Sequence, residues 1–239
     1  MKFFSTKIGS FTENLQFEIV GSYKSFNCHV TGCCEFPTVN TAARNLYLNM
    51  KKTRPVEKDA IVSKCFVQSE NVFEFGPLLI KKDPETRTDE AVANMNGSFF
   101  QITNNGKYSL DATFTLRSSL PVEEGGPEGK SPFILEPSEC QLAVDGDAAT
   151  CNLKVFAFPE EDREYTDEVI VLIKDSPNPV VIPVQCLGAK PIVKASHDVV
   201  KFERALIGKT LVKTLTLNNN SPLPVNWTLK NVDKLSEEF

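Results

Sequence analysis

A Gly-Lys-Ser triplet at Gly129-Lys130-Ser131, preceded by Gly125, Gly126, Pro127 and Glu128, is the part of this chain that comes nearest to a reaction centre. In a nucleotide-binding loop the triplet follows a first glycine at fixed spacing. A helix begins directly behind it, so that backbone amides hold phosphate. Here position 124, where that first glycine belongs, is Glu, and Pro132 leads into an apolar strand pattern in place of a helix. The spacing argues against phosphate binding, and no cofactor is expected.

The remaining reactive side chains are scattered. His29 and His197 are the only imidazoles, and no Gly-x-Ser-x-Gly elbow accompanies them. His29 reads as a strand residue and His197 as a linker residue. The acidic run Glu160-Glu161-Asp162 with Glu164 lacks the spaced ligands and glycine turn of a calcium loop, so it reads as a solvated loop. The seven cysteines (Cys28, Cys33, Cys34, Cys65, Cys140, Cys151, Cys186) are odd in number, contain no CxxC pair and have only two histidines as co-ligands. Zinc is not expected, and Cys33-Cys34 read as buried, inert thiols. No catalytic, metal-ligating or cofactor-binding residue is assigned, and no small-molecule substrate.

Bulk properties narrow the classes further. The chain has 239 residues, 41% of them hydrophobic, which suffices for one large or two small cores. A net charge of -5 opposes nucleic-acid binding, which depends on Lys and Arg neutralising phosphates. The first residues lack the apolar core of a secretory signal, and no later run approaches the roughly 18 apolar residues of a membrane span. The expectation is an intracellular chain with reduced thiols and no membrane contact; the sequons at Asn96, Asn219 and Asn226 then carry no meaning.

The elements that would position any site are strands. Ile102, Tyr108, Leu110, Ala112, Phe114 and Leu116 alternate with polar residues. So do Leu153-Val155-Ala157, Val169-Val171-Ile173 and Val180-Ile182-Val184. Turn residues separate these runs at Asn104-Asn105-Gly106, Asp145-Gly146-Asp147 and 175–179. No long amphipathic helix is present. Short strands with such turns predict an all-β, immunoglobulin-like sandwich.

Internal repetition sets the organisation. Phe4 to Ile19 matches Phe158 to Ile173 at a constant offset of 154, pairing Phe11-Thr12-Glu13 with Tyr165-Thr166-Asp167. After a two-residue adjustment the match continues, with Phe26 to Gly32 against Ile182 to Gly188. Asn71 to Ile80 matches Asp198 to Ile207, and Phe100 to Asn105 matches Leu215 to Asn220. The expected division is 1–43 as the final strands of a preceding repeat, 44–61 as a basic linker, 62–193 as one complete sandwich, and 194–239 as the first strands of a following repeat. Two stretches, Lys81 to Met95 and Ser118 to Ser131, enlarge the complete repeat; both are polar and are expected to be mobile. Partial repeats expose apolar faces and open strand edges. The two ends are therefore expected to pair into a composite sandwich, within or between chains, unless both are trimmings of a longer array.

Asn71 to Ile80, Thr103-Asn104-Asn105, Phe133 to Pro137, Tyr165-Thr166-Asp167 and Val184 to Gly188 together resemble the ASPM/SPD-2/Hydin (ASH) domain family, which is related to the major sperm protein (MSP) fold. Phe73 to Leu79 and Leu223 to Trp227 look most like members with tandem copies. That resemblance implies a non-enzymatic scaffold of the motile-cilium axoneme, within the central-pair apparatus and needed for motility. Its rigid sandwiches would act as spacers whose loops and edges dock other central-pair proteins or tubulin. The alternative it implies is an MSP-like adaptor that binds a short peptide motif of a partner protein, which calls for a basic groove on one sheet face.

Overall fold

The computed structural model describes residues 2–53, 61–118 and 131–230. Two sheets face each other across its middle. The larger has the spatial order β3 (Lys51–Thr53), β4 (Cys65–Val67), β5 (Val72–Leu79), β12 (Val180–Ala189), β11 (Glu164–Ile173), β7 (Leu110–Ser118), β9 (Glu139–Leu142). The smaller is β6 (Gly97–Thr103), β10 (Thr150–Ala157), β8 (Phe133–Glu136). Neighbours run antiparallel except β5 against β12 and β3 against β4. Outside the sandwich lie a hairpin of β1 (Gly9–Glu18) and β2 (Ser25–Cys34) and a short pair of β13 (Val193–Ala195) and β14 (Leu217–Asn219).

The period-two pattern dictates this layering, because alternate side chains of a strand point to opposite faces. Val169, Val171, Ile182 and Val184 of the larger sheet meet Phe100, Ile102, Leu153 and Val155 of the smaller one, all buried. An aromatic chain runs through the middle. Tyr47 stacks on Phe66 with ring centroids 4.4 Å apart, and Phe73 meets Phe100 edge-on at 5.0 Å and Phe75 at 5.1 Å, the geometries that aromatic quadrupoles favour.

β5 carries a bulge: its register on β12 shifts between Gln185 and Leu187, and Gly76 takes a positive φ of 81°. A Cβ there would lie 2.5 Å from the Val62 carbonyl oxygen, so only glycine fits without strain.

Two expectations need correction. The stretch 44–61, expected to be a linker, enters the core before position 62. α1 (Ala43–Leu46) presents Leu46, Tyr47 follows it, and both are buried. Burying a stacked aromatic outweighs the solvation of the neighbouring lysines, whose charged ends stay out while Lys52 Nζ caps the Tyr47 carbonyl at 2.7 Å. Residues 54–60 of that stretch lie outside the described residues. The enlarged stretch Lys81 to Met95 likewise takes up regular structure, as a 3₁₀ turn (Pro84–Thr88) followed by α2 (Glu90–Asn96). Asp83 and Asp89 cap these two pieces, their carboxylates accepting from Glu85 N–H at 2.9 Å and Ala91 N–H at 2.8 Å.

Candidate functional site

Of the Gly-Lys-Ser stretch only Ser131 is among the described residues; 125–130 lie outside them. Ser131 is used structurally. Its hydroxyl bonds to Asp167 Oδ2 and accepts from Phe133 N–H at 3.1 Å, while Ser118 Oγ donates to Asp167 Oδ1 at 3.1 Å. Asp167 is 1% exposed, and it ties together the two ends of the second enlarged stretch. Charge-assisted bonds of this kind are what allow a carboxylate to sit inside a sandwich.

The acidic run forms the corner before β11. Tyr165 is buried, and its hydroxyl oxygen accepts from Glu161 N–H at 3.0 Å, four residues upstream. This is the tyrosine corner of immunoglobulin-like sandwiches. Arg163 lies over the Tyr165 ring at 4.6 Å and pairs with Glu161 at 3.1 Å, so the exposed charges brace a turn. Gly188 sits beneath that corner, where a Cβ would collide with the Glu161 carbonyl oxygen. Tyr165-Thr166-Asp167 and Gly188 therefore belong to one device.

The first enlarged stretch covers one side of a groove of 390 Å³ over the smaller sheet, lined by Arg87, Asn94, Phe99, Glu136, Lys154 and neighbours. Arg87 is neutralised there by Glu136 at 2.7 Å and Glu85 at 3.3 Å, and Lys154 lies 5.9 Å over the Phe99 ring. Lys64 donates to the Asn94 and Gly97 carbonyls beside α2, and burial lowers its pKa. Asn96, wholly buried, donates to Ala157 O at 2.8 Å. The groove's lining carries Arg87 and Lys154 against Glu136, and Arg87 is already paired with two carboxylates, which leaves Lys154 as the one unpaired lining cation among the described residues, short of the basic groove that the peptide-binding alternative calls for.

Within the larger sheet Glu74 pairs with Gln185 of β12, and its carboxyl is pushed up to about 7, first by burial and then by Glu164 and Glu70, against the Gly76 amide that donates to it at 2.7 Å. Burial, reinforced by Cys151, pushes the Cys140 thiol up to about 12, and burial raises Cys186 as well. Thiols so raised stay protonated and unreactive. Cys33 departs from expectation: it is exposed, because no second sheet among the described residues covers its hairpin. His29 sits in β2 as expected, opposite Asn14. Among the described residues no three His, Cys, Asp or Glu side chains gather as a metal-ligand set, and no helix is long and apolar enough to cross a membrane.

The most specific geometry lies at the two junctions between repeats. Asn104, buried at the end of β6, accepts from Gly106 N–H at 2.8 Å and donates to Tyr108 O at 2.8 Å and Ala143 O at 2.8 Å. Asn219 does the same at the end of β14, accepting from Ser221 N–H at 3.0 Å and donating to Leu223 O at 2.7 Å. The incoming chain docks identically on both. Asn105 N–H donates to Thr38 O at 3.1 Å with Val39 bridged to Asn104; Asn220 N–H donates to Ile192 O at 2.8 Å with Val193 opposite Asn219. Thr38 and Ile192 are 154 positions apart, the offset that separates Phe11 from Tyr165. Pro37 and Pro191 precede them, a signal present in the sequence and passed over there.

Two facing sheets, a tyrosine corner and a junction that recurs at Asn104 and Asn219 define an immunoglobulin-like β-sandwich of the tandem-repeat kind. Over its whole length the chain is a distant homologue of the hydrocephalus-inducing protein. It is 25% identical to the Mus musculus protein and 23% identical to the Homo sapiens homologue, in each case over 237 residues, 99% of this chain. The chain spans 4% of the length of these relatives. No family model matches it. Among solved structures it is similar to WR4, a C. elegans MSP family member, at 15% identity over 39% of this chain and 84% of that one, TM-score 0.26. It is also similar to the Pseudomonas aeruginosa CupB2 chaperone at 14% identity over 43% of this chain and 61% of that one, TM-score 0.30.

Proposed function

We propose that this chain is a non-enzymatic structural module of the motile-cilium axoneme, within the central-pair apparatus, where consecutive sandwiches act as spacers and docking surfaces. The observation that carries the reading is the reach of the likeness to the hydrocephalus-inducing protein: it takes in 99% of the chain, through both junctions and both partial repeats. A likeness that crosses repeat boundaries is a likeness to a run of repeats. The buried, raised thiols and the structural use of Ser131 and Asp167 support a role that is mechanical. A stack whose units meet through backbone bonds at fixed spacing transmits position from one end to the other.

Cross-linking within intact axonemes of a cell expressing the tagged chain, read out by mass spectrometry, tests this. Cross-links to central-pair proteins or tubulin, retained after detergent extraction, are expected. Exclusive contacts to soluble cytosolic proteins would overturn the assignment.

A further inference from the structure

Between β8 and β9 the chain passes from the smaller sheet to the larger through Pro137 and Ser138 alone: Phe133–Glu136 pair with β10, and Glu139–Leu142 pair with β7. So short a crossing holds the sheets together at this edge. Cα atoms of β9 and β10 come within 8 Å, closer than the spacing of about 10 Å at which facing sheets ordinarily pack.

Each strand aims a thiol into that gap. Alternation on β9 puts Cys140 on the face of Leu142, and alternation on β10 puts Cys151 on the face of Leu153, both leucines being buried. The two cysteines pack against the same core, and a hydrogen bond joins their side chains. The fully buried thiols Cys65 and Cys186 both belong to the larger sheet. The pair that bridges the sheets is also within reach of solvent. Both members are partly exposed, and a surface groove lined by Asp111, Thr113, Glu139 and Gln141 opens onto Cys140.

The arch between the two cysteines carries the joint to the preceding repeat. Residues 143–149 leave β9 and return as β10, with Ala143 N–H donating to Ala148 O at 2.9 Å. Asn104 is fastened to both legs: its side chain donates to Ala143 O at 2.8 Å and its N–H to Ala149 O at 2.8 Å. Asn104 and Asn105 are in turn where the incoming chain docks, through Val39 and Thr38. A bond from Cys140 to Cys151 closes the base of the arch beneath that joint.

From this geometry we infer that Cys140 and Cys151 form a redox-sensitive staple: a low-molecular-weight disulfide oxidises them to an inter-sheet disulfide, which stiffens the 143–149 arch and, through Asn104, the joint to the preceding repeat. The reaction balances as thiol–disulfide exchange. Cys151 attacks one sulfur of the small disulfide, its proton passing to the departing thiolate, and a mixed disulfide forms. Cys140 then gives up its proton, attacks the Cys151 sulfur and expels the second small thiol, so one protein disulfide forms as one small disulfide is reduced to two thiols. Burial keeps Cys140 protonated and inert to reagents in solution; at a value of about 12, about one molecule in 10⁴ is ionised at pH 8. A partner sulfur in contact offsets this, because well-placed intramolecular reactions reach effective molarities of about 10⁵ M and above. The inference concerns the complete repeat and is independent of the ciliary reading.

The test equilibrates the full chain in glutathione buffers of rising oxidised fraction, blocks it with N-ethylmaleimide, and cleaves it before Asp145 and Asp147 without reduction. Cys140 and Cys151 then lie on separate fragments. The fragments are expected to stay joined, within one chain, once the buffer converts the exposed Cys28 to its glutathione adduct, and to separate with dithiothreitol. Hydrogen exchange across 143–149 and at Asn105 should slow at least about tenfold in the oxidised chain. Cys140→Ser should leave Cys151 as a glutathione adduct and abolish that slowing, which separates the staple from a general effect of oxidation. Recovery of Cys140 and Cys151 as maleimide or single glutathione adducts in the most oxidising buffer overturns the inference, as does a joined pair with unchanged exchange in the arch.

Discussion

Phe11 and Tyr165 hold the same position in two hairpins cut from one sequence pattern, yet one ring lies on an open sheet and the other inside a sandwich. Both hairpins pair antiparallel, and their registers differ by two residues, which keeps the same side chains on the same face. The difference is what lies opposite. β11 and β12 have β7, β5 and the smaller sheet; β1 and β2 have each other. Strand pattern fixes a hairpin locally, but burial needs a facing layer, and an isolated two-stranded hairpin is marginally stable in water. The same holds at the other end, where 198–207 repeats the sequence of β5 without forming that strand.

The widest separation between the two regions is expected at matched aromatics. Phe75 is fully buried, and its counterpart Phe202 is 52% exposed. Phe75→Ala should cost about 3–5 kcal/mol in urea unfolding of the sandwich, and Phe202→Ala less than about 0.5. Equal costs would erase the distinction between finished and unfinished repeats.

Next in size are the two junction asparagines. Asn104→Ala leaves the Gly106 amide and the Tyr108 and Ala143 carbonyls without their partner, for about 1–3 kcal/mol by thermal unfolding. Asn219→Ala, in its exposed setting, should fall below about 1 kcal/mol.

Glu74 sharpens the comparison through pH, because its raised value exists only inside the completed sheet. A carboxyl whose folded value exceeds its unfolded one costs nothing while both forms are protonated. Its penalty grows as pH rises from 4.5, the ordinary value, through about 7 in the folded state. After allowance for its partial exposure, Glu74→Gln should stabilise the sandwich by about 1–2 kcal/mol at pH 8 and by nothing at pH 4. The readout is the midpoint of urea unfolding at the two pH values.

The smallest effect distinguishes the two corners. Tyr165→Phe removes the bond to Glu161 N–H and should cost about 1 kcal/mol, whereas Phe11→Tyr should be neutral in the isolated chain, since its hairpin lacks a buried corner to brace.

Much of this contrast was legible in the residues. Alternation at Val169-Val171-Ile173 and Leu153-Val155 gave core strands in both sheets, and the Phe11/Tyr165 match pointed to the paired hairpins. Tyr47 was missed because a lone tyrosine among lysines and arginines carries no periodic signal; only its partners Phe66, Phe73 and Phe100, distant in sequence, explain its burial. The helical cover at 84–96 was missed although Asp83-Pro84 and Asp89 are cap signals, because short capped turns score weakly beside a run of charge. The junction was readable as Pro37-Thr38-Val39 against Pro191-Ile192-Val193, but three residues gain weight only once their shared bonds to Asn105 and Asn220 are seen.

Hydrogen exchange of the full chain at low protein concentration, followed peptide by peptide, tests most directly whether one finished unit stands between two unfinished ones. Slow, globally limited exchange across β5, β10, β11 and β12 is expected, with β1, β2 and 198–216 exchanging faster by orders of magnitude. Uniform protection from residue 9 to residue 219 would contradict the account.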